Sequence, residues 1–247
     1  MVTFDLETAF AYPFRDRRWT EKLLIALALY LFLYLILPAF FLAGYLYRLA
    51  KGVLETGEAH LPDWDDWGGD FRRGARALGA ALLIASPVLL FVVLWLVGVF
   101  GSVFAMEGME EAGRATPTLG FMLWGMFMLG SMSLTALLGM VLGVLGPAAW
   151  IHVVATDRLN AILDVSGWWA IFRAAWAEFV VATVLVIGLR MFVAYLMQTL
   201  FWLLCFGGFV LAAIPNLYIL LVGLYLYARA YRQGAARLAS QRAEASA

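Results

Sequence analysis

Residues 115–156 form a run of 42 positions without an Asp, Glu, Lys or Arg. Residues 23–47, 77–106, 179–189 and 191–228 share that property, so 146 of the 247 positions lie in charge-free runs. A water-soluble chain has too little polar surface to cover this much apolar sequence. The composition agrees: 64% hydrophobic and 14% charged, against about 45–50% and about 25% in soluble domains. The runs are continuously apolar rather than alternating, and far exceed the roughly 10 residues of a barrel strand. The chain reads as an all-α polytopic membrane protein, a single integral membrane domain over 1–247.

A bilayer core about 30 Å thick requires about 20 helical residues per crossing. Residues 77–106 fit one tilted crossing. The region after 174 fits two, 174–203 and 208–228, turning near Cys205, Gly207 and Gly208. The 115–156 run is kept as one bent crossing, with Gly139, Gly143 and Pro147 as points of helix break or close packing. Residues 23–47 fit either one crossing or a re-entrant hairpin broken near Pro38. Charge decides between them. With a hairpin, four full crossings place 15 Lys and Arg on one side and only Arg114 on the other, the asymmetry expected of a cytoplasmic face. Five or six crossings spread the basic residues more evenly and remain the alternatives. The expected arrangement is a cytoplasmic or interfacial segment 1–22, a first membrane segment 23–47, a cytoplasmic amphipathic loop 48–76 and a cytoplasmic tail 229–247, in the cell membrane. The acidic, aromatic start lacks a cleavable signal and is expected to be retained.

Three stretches repeat a proline, an apolar helix and an exit arginine: Pro38 to Arg48, Pro147 to Arg158, and Pro215 to Arg229. Helix exits at an inner membrane face favour Tyr and Arg whatever their ancestry. Between the first two repeats lies the most distinctive polar stretch. Asp63, Asp65, Asp66 and Asp70 alternate with Trp64, Trp67 and Phe71, which suggests interfacial aromatics, carboxylates facing water, and Asp63 or Asp66 capping the next helix. Trp168, Trp169, Phe172, Arg173 and Trp176 form an equivalent elbow later in the chain.

Arg190 interrupts the apolar sequence near mid-span and is expected to line an internal polar path, meet a partner or snorkel to headgroups. Glu178, twelve residues earlier on the helix, is too distant to pair with it. Asn216 and Gln198 are the other polar candidates at depth. His152 is an interfacial histidine, weakly paired by spacing with Asp157. No arrangement of His, Cys and acids matches a metal site, and no cofactor is implied. Catalytic motifs are absent, leaving only Asp65, Asp66, Asp157 and Arg158 as an interfacial set available to an enzyme. Equal numbers of basic and acidic residues, 17 each, give no field for nucleic acid. The expected partners are membrane lipid and other membrane proteins or further copies of the chain.

Residues 11–29, 44–78 and 223–235 resemble an uncharacterised membrane-protein family of archaea and bacteria, catalogued as domain of unknown function 4013. The specific part is carried by Gly44, Tyr45, Arg48, Leu61, Pro62, Trp64, Asp65, Asp66 and Gly74. The resemblance implies a helical bundle and no established activity, over nearly the whole chain. The leading expectation is a non-enzymatic protein that organises or assists other membrane components. A transporter or channel using Arg190 comes next, and a membrane-embedded enzyme last.

Overall fold

A computed structural model describes residues 6–111, 118–204 and 207–246. Its long elements are α1 (Leu6–Arg15), α2 (Trp19–Leu31), α3 (Leu37–Thr56), α4 (Trp67–Glu111), α5 (Thr118–Thr156), α6 (Val165–Ala174), α7 (Trp176–Leu204) and α8 (Gly207–Ser246). No strand occurs among the described residues. Four helices are long and apolar enough to cross a membrane, over Trp67–Ser102, Trp124–Thr156, Trp176–Gln198 and Leu211–Ser246. The fold is an all-α polytopic bundle. Arg114 and the turn expected at Cys205 lie outside the described residues.

The 23–47 segment is divided between two helices. A 3-10 turn at Leu33–Leu35 leads to Ile36, whose φ of 62° and ψ of −53° reverse the chain. Pro38 stands in the first turn of α3, where a missing N–H breaks no helical hydrogen bond. The turn thus precedes the proline rather than falling on it. Ala26 of α2 and Leu42 of α3 share a buried cluster with Leu217 of α8. The start and finish of the pair also meet, because Lys22 Nζ donates to the Leu61 carbonyl at 2.7 Å.

α5 does not break at its glycines or at Pro147; it is one helix throughout. Without water to compete for backbone groups, a long apolar helix persists through an internal proline. Pro215 is likewise internal to α8. The chain divides into two compact units, 1–81 with 144–247, and 82–143.

In the first unit α8 is the central element, packing against α7, α3, α6, α2 and α1. Its buried core is aromatic and branched: Tyr45, Tyr47, Leu49, Val53, Ile151, Phe179, Leu221, Val222 and Tyr225 among others. α1 lies across α8, with Tyr12 stacked on Tyr225 at 5.4 Å and Tyr218 donating to the Phe10 carbonyl. Amphipathic α6, capped by Asp164 accepting from the Gly167 N–H, forms the second aromatic elbow.

The second unit consists of the remaining parts of α4 and α5. Trp124 Nε1 donates to the Gly98 carbonyl, and Gly98 leaves room for Met128. Leu90, Val97, Leu129 and Met140 are exposed, as lipid-facing residues are. Ser86, Ser102, Ser131, Ser133 and Thr135 donate to carbonyls of their own helices, which satisfies these hydroxyls in lipid. A Cβ on Gly139 or Gly143 would meet open space. The close packing expected at these two glycines is not formed among the described residues.

Candidate functional site

The polar chemistry of the first unit gathers where α3, α4 and α5 end or begin. α3 and α4 approach backbone to backbone: a Cβ on Gly44 would collide with the Asp70 carbonyl, and one on Gly74 with that of Phe40. This contact brings Asp70 beside Arg48. Asp70 is fully buried; its carboxylate accepts from Arg48 at 2.8 Å and from Arg73 at 3.1 Å. Arg48 also donates to Asp65 at 2.9 Å and to the Asp63 carbonyl at 2.5 Å. One guanidinium thereby fastens α3 to the loop and to the start of α4, as its planar fork allows.

The loop is held from its other side by aromatics. Trp64 stacks on Tyr45 at 4.2 Å and on Trp67 at 5.2 Å, and donates to the Lys22 carbonyl. Lys22 in turn meets Asp16 at 2.6 Å and Asp63 at 2.9 Å. Trp64 therefore packs inward, and the neighbouring carboxylates are ion-paired rather than turned only to water. Asp66 caps α4, accepting from the Gly69 N–H at 2.9 Å while pairing with Arg73 at 2.6 Å.

A second carboxylate hub is Asp157, which follows α5 in the left-handed conformation at φ 59°. It accepts from Tyr47 at 2.6 Å, from Lys51 at 3.0 Å and from Arg76. The Tyr47 hydrogen bond and then Lys51 hold its carboxyl below the usual range. Arg48 does the same for Asp65, and Arg73 with the Gly69 N–H for Asp66. Asp66 and Asp157 face a common cleft of about 550 Å³, with Lys51, Arg72 and Arg76 also at its wall. Asp66 and Asp157 are thus held ionised near neutrality, and they give the cleft electrostatic attachment.

Of the residues singled out in the sequence, Asp65, Asp66 and Asp157 belong to this ion-paired end. Arg158 is exposed, and its side chain has no hydrogen bond or ion pair among the described residues. Arg190 is also exposed and without such a partner among them, Gln198 is exposed, and Asn216 donates to the Ala212 carbonyl of its own helix. His152 does not pair with Asp157. Its ring meets Tyr231 at 2.6 Å and Asp164 at 3.7 Å. Glu178 is buried and paired with Arg237 of α8. No set of three or more His, Cys, Asp or Glu side chains fit to hold a metal occurs among the described residues.

Sequence reasoning named Asp70 only as one of its aspartate cluster and did not single out Lys22, Tyr47 or Arg76. Asp70 has one local signal, Arg73 three residues on, a spacing that shares a helix face. Tyr47 and Arg76 are paired across 29 to 110 positions, and Lys22 reaches the Leu61 carbonyl 39 positions on, which no local pattern reveals.

Four long apolar helices define a polytopic membrane protein. The chain belongs to the DUF4013 family, proteins of unknown function, whose family model matches residues 27–206. That span contains the Gly44-to-Gly74 motif but stops short of 223–235 and most of 11–29, so the family likeness is narrower than expected. No curated protein and no solved structure matches the chain.

Proposed function

We propose that the protein is a non-enzymatic component of the cytoplasmic membrane that organises or assists other membrane components. Loop 48–76 and the C-terminal tail face the cytoplasm in this reading. The observation that supports it is the use of the charged end: Asp70, Asp65, Asp66 and Asp157 are each engaged by Arg or Lys from another segment or turn. Groups tied to one another hold helices in place instead of waiting for a substrate. Arg190 and Gln198 are exposed and Asn216 is bonded within its own helix, which weighs against a transport path built on them.

The same contacts support this sidedness. Lys22 meets loop 57–66, and Arg76 meets Asp157; these contacts support placing segments 6–22, 48–76 and 157–176 on one face. This is the basic face that the positive-inside rule puts in the cytoplasm.

Copurification in mild detergent tests the assignment, with the Asp66→Asn/Asp157→Asn variant run beside the wild type. The expected result is the same stoichiometric membrane partner, or second copy of the chain, from both. A cellular phenotype lost in a folded, correctly assembled variant would point to chemistry at the cleft and contradict the proposal.

A further inference from the structure

A second polar cavity, of about 540 Å³, lies between α1, the loop after α3 and α8. Arg15 of α1 and Arg229 and Arg232 of α8 stand at its wall. None of the three has a carboxylate partner among the described residues. Arg229 donates to the Tyr225 hydroxyl at 2.7 Å, with its guanidinium over that ring. Two acids also line the cavity: Asp16, paired with Lys22 at 2.6 Å, and the exposed Glu58, 3.3 Å from His60 at the same wall. Three guanidinium groups around one cavity repel one another, and an anion between them offsets that repulsion.

The cavity also has a built interior. Tyr12, 2% exposed, lines it and carries a buried hydroxyl with no hydrogen-bond partner. An unsatisfied buried hydroxyl is costly, and an anionic oxygen accepting from it removes the cost. Gly57 ends α3 in the left-handed conformation at φ 84°, and any Cβ there would fall on the Arg232 guanidinium. The absent side chain thus makes the space that Arg232 occupies.

The geometry points to a binding site for a phosphate-bearing anion, held by Arg15, Arg229 and Arg232 with the Tyr12 hydroxyl as a fourth donor. Guanidinium forks match phosphate oxygens in pairs, and basic pockets among membrane helices take phospholipid headgroups. The same stripe of α8 continues into an apolar groove of about 600 Å³, where Ile214, Leu217 and Leu221 face Phe14, Leu24 and Leu27. This groove gives a lipid's acyl chain a place beside the headgroup site. A free phosphate compound offers the cavity the same chemistry without the chain. The inference goes beyond the organising role proposed above and stands whether or not that role holds.

The test titrates the purified full chain in mixed micelles with phosphatidylglycerol, with phosphatidylcholine, and separately with inorganic phosphate, reading native mass spectra and ligand-induced thermal shift. Phosphatidylglycerol is expected to bind wild type more tightly than phosphatidylcholine, whose headgroup cation offsets the phosphate charge. Its affinity should fall by at least about tenfold in Arg229→Gln/Arg232→Gln, the loss expected from two charge-assisted contacts. Arg158→Gln, outside the cavity, should bind as wild type does. Tyr12→Phe removes only an unpartnered hydroxyl, so it should keep or raise the melting temperature of the ligand-free protein while weakening binding. That combination separates ligand binding from a structural role, and it carries the test even where the double variant fails to fold. If inorganic phosphate shows the variant pattern and phosphatidylglycerol does not, the site holds a soluble phosphate and the inference stands. Neither probe binding wild type, or both binding wild type and Tyr12→Phe equally, would overturn it.

Discussion

Lys22 and the Leu61 carbonyl meet at 2.7 Å, joining the residue just before the first apolar run to the loop beyond it. A segment whose two ends touch does not carry the chain from one side of a bilayer to the other. The α2–α3 pair has the contacts of a returning hairpin, and four other helices are long and apolar enough to cross. The ion pairs of Arg48, Lys51, Arg73 and Arg76 then collect at one level, where each contributes to closing the bundle.

Asp70 is the carboxylate on which that closure depends most. It is buried between Arg48 and Arg73. Asp70→Asn keeps the shape and leaves two guanidinium groups without their shared counter-charge, at a cost of about 3–5 kcal/mol. Asp65, 72% exposed at its side chain, should tolerate the same change with little shift in melting temperature. Thermal unfolding in one detergent compares the two.

The glycines differ as sharply. Gly44→Ala or Gly74→Ala should lower stability by at least about 1–3 kcal/mol, because the new methyl meets backbone rather than a yielding side chain. Gly139→Ala should be neutral or stabilising by about 0.5–1 kcal/mol, since it fills open space on a helix.

These contrasts show what the sequence carried. The long apolar runs and the basic-residue asymmetry sufficed for the helical class and for a hairpin near Pro38, because solvent and charge act on composition. The family motif was legible as a string of residues, whereas its physics was not. Gly44 and Gly74 matter through an approach of two backbones thirty residues apart. Asp70 is one of four aspartates in eight positions, and only the face of α4 turned to α3 separates it from the others. Arg190 was conspicuous as a lone charge, yet its exposure depends on how α7 seats on α8, which apolar sequence on every face does not specify.

Ile36 stores strain at the hairpin turn. Its φ of 62° is unfavourable for a β-branched residue, and its side chain is exposed. Ile36→Gly should raise stability by about 1 kcal/mol. An unchanged or lowered unfolding midpoint would count against this turn geometry.

Acid should loosen the charged end. Asp16, Asp65, Asp66 and Asp157 are all held below the usual carboxylate value in the folded chain, Asp16 by the Lys22 hydrogen bond and Asp157 by Tyr47 and then Lys51. A depressed folded pKa stabilises fully above the unfolded value and is lost as pH falls through the folded one. The melting temperature should thus be level near neutrality and fall below about pH 4. Asp157→Asn, which still tolerates the left-handed backbone, should start lower and show a shallower fall.

Cysteine labelling from the two sides of the membrane tests the returning hairpin most directly. In a Cys205→Ala background, single cysteines replace Glu21, before the hairpin, and Glu58, after it; both positions are exposed. Both should be shielded from an impermeant thiol reagent in intact cells and react in inverted vesicles. Labelling of one from outside and the other from inside would mean that residues 23–47 cross the bilayer, and would contradict the account.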